Sequence, residues 1–171
     1  MSKTTQVTVT LLIVTLLLAA VRVPTSSATD TEAAIKALEH DLGVAVRHKD
    51  LDRLMGHYTV SENLVVFDVT PPRQFTGWEA YKEQWRSALA ACKDSPVFEI
   101  KDLSVYGGAG YAFSHSIQHF ACTNQQDKKV DLLLRVTDGY ANFKGTWLIA
   151  HEHISVPVDL ATGKADLETK P

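Results

Sequence analysis

The second half of the chain leaves little freedom of topology. Four strand-like runs, "PVFEIKDLSVYG", "GYAFSHSIQHFACT", "KVDLLLRVTDGYANF" and "GTWLIAHEHISVPV", follow one another with only "GAG", "NQQD" and "KG" between them. They are rich in β-branched and aromatic residues. Links this short return the chain antiparallel to the strand it has just left. A meander of strands is therefore expected after Cys92.

The first half reads differently. In "TDTEAAIKALEHDLGVAVRHKD" the residues Ile35, Leu38, Leu42, Ala45 and Val46 fall on one helical stripe, with Asp30 and Thr31 as capping candidates. His40 and His48 lie off that stripe. A second short helix, "DLDRLMGHY", has Asp50 as its cap and should bury Leu51, Leu54, Met55 and Tyr58. "ENLVVFDV" is a buried strand, ended by Pro71 and Pro72, which cannot continue a central strand. In "TGWEAYKEQWRSALAAC", Thr76 and Glu79 suggest a capping box, and Trp78, Tyr81, Trp85, Leu89 and Cys92 repeat at helical spacing. Helices first and a meander later specify an α+β domain, with helices on one face of a curved sheet.

The ends lie outside that pattern. "VTVTLLIVTLLLAAV" is an uncharged run between Lys3 and Arg22, and "RVPTSSA" then supplies small residues at a peptidase-like spacing. Residues 1–28 are expected to be a signal peptide, cleaved after Ala28, which sends the protein to a secreted or periplasmic location. The domain then covers residues 29–160, and residues 161–171 form a loose polar tail. Of the 17 basic residues Lys3 and Arg22 would be lost, leaving 15 against 20 acidic ones, a net charge of −5. With no basic cluster, no nucleic-acid partner is expected. With no second long apolar run, none is expected with a membrane after cleavage.

The string "FDVTPP", the helix "GWEAYKEQW", then "FEIKDLSV", "YAFSHS" and the closing series "LLLRVTDGYANFKGTWLIAHEHISVP" resemble the SnoaL-like branch of the nuclear transport factor 2-like superfamily. That superfamily includes ketosteroid isomerases, polyketide cyclases and scytalone dehydratase. The resemblance runs over roughly residues 31 to 160. It implies a cone-shaped α+β roll, a curved antiparallel sheet with three helices from the N-terminal half on its concave face. It also implies a pocket between sheet and helices and a homodimer. It fixes no activity, since the fold carries enzymes and non-catalytic binders alike.

Two histidines, His151 and His153, lie one residue apart on the last strand. Alternation places them with Trp147, Ile149 and Ser155 on one face and Glu152 on the other. The resemblance favours Trp147 and the histidines facing the cone, with Glu152 pointing away and not a catalytic base. A metal site is not expected: two imidazoles need a third or fourth ligand, and His115 and His119 stand about 13 Å apart along a strand. The register of the last hairpin leaves two options. A two-residue "KG" turn sets Asp138 opposite His151, an arrangement that fixes an imidazole tautomer. A three-residue turn sets Arg135 opposite His153, which suits an anionic ligand.

Asp68 precedes the two prolines at the expected pocket mouth. It could act as a proton-moving base of the ketosteroid isomerase kind, with Tyr58 as donor, or serve only as a turn residue. The expected site therefore combines Asp68, His151 and His153 as acid–base groups with Tyr58, Trp78, Tyr81, Trp85, His115, Arg135 and Trp147 as ligand contacts. No cofactor is expected. The ligand is a small organic molecule, acidic or carbonyl-containing. The alternatives are an isomerase, cyclase or dehydratase, or a plain dimerisation module. Finally, if residues 107–110 close the first hairpin, Cys122 falls opposite Ser95, three residues beyond Cys92. A disulfide between Cys92 and Cys122 is expected on that register, and an oxidising compartment would permit it.

Overall fold

The computed structural model describes residues 27–167, so residues 1–26 of the expected signal peptide and the last four residues of the tail lie outside the description. Three helices, α1 (Ala28–His48), α2 (Leu51–Met55) and α3 (Trp78–Ala91), precede or interleave with two short strands, β1 (Val65–Phe67) and β2 (Phe75–Thr76). The meander follows as β3 (Val97–Gly107), β4 (Tyr111–Thr123), β5 (Lys129–Phe143) and β6 (Thr146–Ser155). A small hairpin, β7 (Val158–Asp159) with β8 (Lys164–Ala165), ends the described chain. Among the described residues no helix is long and apolar enough to cross a membrane.

The main sheet has the order β2-β1-β6-β5-β4-β3. The long strands pair antiparallel, as the short links require. The sheet is nonetheless mixed, because β1 runs parallel to β6, with Val66 beside Glu152. β2, helix α3 and three meander strands separate β1 from β6 in sequence, so no tight turn forces the two to pair antiparallel.

The helices form where the apolar stripes predict. Ile35, Leu42, Ala45 and Val46 of α1 are buried, as are Leu54, Met55 and Tyr58 from the α2 segment and Tyr81 and Leu89 of α3. Their caps differ from expectation in two places. The cap of α1 is Ser27, whose hydroxyl accepts from the Asp30 amide at 3.1 Å while the Asp30 carboxylate accepts from the Ser27 amide at 3.1 Å. Asp30 thus serves as the N3 partner, and Thr31 turns inward. Helix α3 starts after Gly77, at φ +91°, with no side-chain cap, so Thr76 and Glu79 do not form a capping box. Asp50 does cap α2, accepting from the Arg53 amide.

Helix α1 packs across β3 at close range. A Cβ on Gly43 would stand 3.5 Å from the Phe98 ring, an ordinary contact distance, so the helix lies directly over that strand residue. Two irregularities shape the sheet. One falls in β3 between Lys101 and Ser104, where Asp102 takes φ +53°. The other falls in β6: Tyr140 pairs with Ile149 but Gly139 pairs with His151, leaving Ala150 as an extra residue. Bulges of this kind bend a strand and sharpen its twist, which closes the cone.

The tail is less loose than its composition suggests. After the β7–β8 hairpin, the Leu167 carbonyl accepts from the Leu133 amide at 2.9 Å, on a stretch of β5 that β6 is too short to cover.

Cys92 and Cys122 form the expected disulfide, with Cα atoms 5.7 Å apart. The register behind it is shifted. Gly107 pairs with Ala112 and Val97 with Ala121, so Cys122 lies one residue off the position opposite Ser95. The end of α3 still meets this corner, because Cys92 bridges to Asn124 and the Lys93 amide donates to the Thr123 carbonyl at 2.7 Å. The cross-link spans a sequence separation of 30 residues, for which chain-entropy reasoning gives about 3–4 kcal/mol of stabilisation. Replacing both cysteines by alanine should lower the urea-unfolding free energy by about that much without changing the fold. A loss under about 1 kcal/mol would refute this assignment of its role.

Candidate functional site

The bulge at Ala150 decides what the cone contains. Before it, Trp147 and Ile149 face the core; after it, Glu152 and Ile154 do, while His151 and His153 turn to the outer face. This reverses the alternation expected for the histidine strand. The two-residue Lys144–Gly145 turn forms, pairing Phe143 with Thr146, but the bulge then shifts the register by one. Neither expected pair results: Gly139 lies opposite His151, Thr137 opposite His153, Asp138 opposite Glu152 and Arg135 opposite Ser155.

Asp138 and Glu152 are therefore cross-strand neighbours on the inner face, and Ser114 of β4 stands on the other side of Asp138. All three are buried. The Tyr58 hydroxyl lies 3.3 and 3.2 Å from the two Glu152 oxygens, and the Tyr81 hydroxyl donates to Oε2. On the other flank the Tyr140 hydroxyl donates to Glu39 Oε1 at 2.6 Å and lies 2.8 Å from Ser114 Oγ. Among the described residues every buried charged group is an acid, namely Glu39, Asp138 or Glu152.

Three acids without a buried cation cannot all ionise cheaply. Burial pushes Glu152 up to about 8; hydrogen bonds from Tyr81 and Tyr58 oppose this, and the charges of Glu39 and Asp68 add to it. Burial likewise raises Glu39 to about 7, against the pull of the Tyr140 hydroxyl. Asp138 is held well above the ordinary carboxylate range by burial and then by the charges of Glu152 and Glu39. Its Oδ1 has no hydrogen-bond partner. Near neutral pH, Glu152 is thus a buried carboxylic acid. With its proton it can donate; without it, the two tyrosine hydroxyls stabilise the anion.

One pleat above Glu152, Ile154 lines a cavity of about 110 Å³ with Trp85, Phe98, Gln118 and Phe120 as walls. Asp68 and Gln84 stand at its rim. Asp68 accepts from the Thr70 amide at 3.0 Å and the Thr70 hydroxyl at 3.1 Å, so it is a turn residue and a pocket residue at once. Trp85 Nε1 on the cavity wall has no partner, nor does the buried Ser116 Oγ on β4, which borders a different hollow. A larger hollow, about 1020 Å³, lies on the outer face among Glu99, Lys101, Lys129 and Asp131. It is framed by solvated charge and lacks any buried acid.

Of the residues singled out from the sequence, Tyr58, Tyr81, Trp85 and Asp68 converge on the cone. Trp78 sits at its edge, donating to the Met55 carbonyl at 3.0 Å beneath the Lys82 ammonium, and Trp147 is packed in the core away from the cavity. His115, Arg135, His151 and His153 do not reach the cone. His115 stacks on Tyr106, and Phe67 meets the edges of both His151 and His153 on the outer face. His151 Nδ1 lies 2.7 Å from the Val65 carbonyl. Among the described residues no group of three His, Cys, Asp or Glu side chains is placed to hold a metal ion.

The residues missed are Glu39, Ser114, Tyr140 and, above all, Glu152. Glu39 left a signal: it falls on the apolar stripe of α1, four residues after Ile35 and three before Leu42. For Glu152 the signal was Gly139, since an isolated glycine in a strand often marks a bulge in the pairing.

Comparison with known proteins agrees with this architecture. A nuclear transport factor 2-like protein of unknown function from Pseudomonas putida is 29% identical, with 85% of this chain and 99% of that one aligned at a TM-score of 0.75. A nuclear transport factor 2-like superfamily protein from Salmonella enterica aligns over 82% of this chain and 100% of its own, at 14% identity and a TM-score of 0.71. A ketosteroid isomerase-like protein from Erwinia carotovora aligns over 74% and 95%, at 20% identity and a TM-score of 0.62. No curated protein sequence matches the chain. The family model for the SnoaL-like domain matches residues 35–159, from the first buried residue of the α1 stripe to the end of β7. The chain belongs to the SnoaL-like family of the nuclear transport factor 2-like superfamily.

Proposed function

We propose that this protein holds a small, neutral organic molecule with a carbonyl or hydroxyl group in its cone, and that Glu152 is the proton-bearing group that meets it. The observation that carries the reading is a buried Glu152, flanked by two tyrosine hydroxyls, one pleat below an apolar cavity. An acidic ligand fits poorly. Arg135 and the paired histidines, which suggested one, lie on the outer face, and among the described residues the buried charged groups of the interior are all acids. Trp85 Nε1, on the cavity wall, supplies an unpaired donor for a neutral polar group, and the Gln118 amide lines the same cavity.

Native mass spectrometry of protein purified without added ligand should find a neutral organic molecule bound one per chain. Replacement of Ile154 by Trp, which fills the cavity, should abolish its retention. Retention unchanged in that variant would place the ligand elsewhere.

A second reading uses the same groups for chemistry. Glu152 in its buried setting and Asp68 at the half-exposed rim are two carboxyls in unlike environments, the arrangement that isomerases and dehydratases use to take a proton at one place and return it at another. The likeness to a ketosteroid isomerase-like protein supports that option. Conversion of the retained molecule by the wild type, lost in both Asp68→Asn and Glu152→Gln, would favour catalysis over binding.

Export and pairing of two copies complete the proposal. The disulfide suits an oxidising compartment, and the exposed Phe113, stacked on Tyr106, suits a sheet-to-sheet contact between copies. Native mass spectrometry of exported protein checks both: the expected species is a dimer of chains starting near Thr29. A monomer, or a chain retaining Met1, would remove the corresponding half.

Burial of Glu152 and Glu39 also fixes the pH dependence of stability. Both hold protons in the fold, at about 8 and about 7, that the unfolded chain releases near the ordinary value of 4.5. Their contribution is complete below about pH 4.5 and is lost as pH rises through about 7 and about 8, because the unfolded chain then binds fewer protons. Urea unfolding should therefore show falling stability from pH 5 to pH 9. Glu152→Gln should flatten that fall and exceed the wild type at pH 9, by on the order of 2 kcal/mol. Parallel pH curves for the two proteins would contradict the burial argument.

A further inference from the structure

The side of the cone away from the cavity contains Tyr140, Ser114, Asp138 and Glu39, none of which reaches the pocket lining. We propose that Asp138, Tyr140 and Glu39 are positioning residues for Glu152, forming a cation-free polar series from Glu152, one pleat below the cavity, to the crevice between α1 and β3, so that the proton on Glu152 depends on the state of Glu39. The assignment rests on Glu152 being the pocket's proton-bearing group.

The geometry supplies each link. Glu152 faces Asp138 directly across the β5–β6 ladder, and Asp138 faces Ser114 across β4–β5, all on the inner face. Side chains opposite one another in such a ladder have Cβ atoms about 4.5–5.5 Å apart, close enough for two carboxyls to sense each other. Ser114 Oγ lies 2.8 Å from the Tyr140 hydroxyl, which donates to Glu39 at 2.6 Å. Glu39 in turn lines a crevice of about 180 Å³ together with Lys36, His40, Gly43 and Arg47. The far end of the chain is therefore near water that does not enter through the pocket mouth.

The groups facing this chain come from every surrounding element: Glu39 from α1, Tyr58 after α2, Tyr81 from α3, Asp68 after β1, and Asp138 and Tyr140 from β5. Lys36, His40 and Arg47 of α1 flank only the crevice end. Asp138 Oδ1 is buried and without a hydrogen-bond partner, so Asp138 and Glu152 sense each other through space across the ladder. A negative charge on Glu39 raises the midpoint of Glu152, because the two carboxyls share an interior without a buried cation among the described residues.

The sign of the effect follows. Glu39→Gln removes that charge and should lower the Glu152 midpoint. Tyr140→Phe should do the same by another route: without the hydroxyl, Glu39 keeps its proton to higher pH, so less charge opposes the ionisation of Glu152. The measurement is the carboxyl carbon-13 NMR titration of glutamate-labelled, ligand-free protein, with the Glu152 signal identified by its absence in Glu152→Gln. Both variants should shift the Glu152 midpoint down by at least about half a pH unit, and Glu99→Gln, on the outer face, should leave it in place. An unchanged midpoint in either folded variant overturns the proposal, as does an equal shift in Glu99→Gln. Tyr140→Phe keeps the ring and carries the test if Glu39→Gln does not fold. Because no ligand is present, the outcome is independent of whether the cavity binds a molecule.

Discussion

One extra residue in one strand governs the character of this cone. Ala150 interrupts the pairing of β6 with β5, so Trp147 and Ile149 face inward on one side of it and Glu152 and Ile154 on the other. Without the bulge, the strand would have turned His151 and His153 inward and left Glu152 outside. A register slip of one residue exchanges the faces of a strand, and here the exchange is confined to its second half. An interior of neutralisable acids replaces one of imidazoles.

That exchange sets the electrostatics of the whole interior. Glu152 meets Asp138 across the ladder and Glu39 from the helix side, with no buried cation among the described residues. The fold tolerates this because tyrosines take up the hydrogen bonding: Tyr58 and Tyr81 around Glu152, Tyr140 at Glu39. Burial and mutual repulsion keep protons on the acids near neutral pH, so the interior is polar without being strongly charged.

The outer face has a different composition. His115, His119, Arg135, His151 and His153 all belong to it, among exposed aromatics and charged groups. Their proximity along the sequence to pocket residues reflects only the two-residue period of a strand. One face of each meander strand packs on helices, and the other is left for solvent or for a second chain.

The meander, the three helical stripes, the α+β class and the disulfide were legible in the sequence, because each rests on local periodicity or short links. That Tyr58, Tyr81, Trp85 and Asp68 turn toward the cone was legible for a like reason: helix stripes and a strand ended by prolines fix their side without reference to distant partners. Glu39 was readable on its stripe, but its value emerged only with Tyr140, which lies 101 residues further along the chain. Tertiary structure alone decided the side on which Glu152 falls. Both faces of "WLIAHEHISV" are largely apolar, so alternation could not choose between them. The choice came from pairing with β5 around Gly139 and with β1 in parallel, contacts between segments whose mutual register no local pattern encodes.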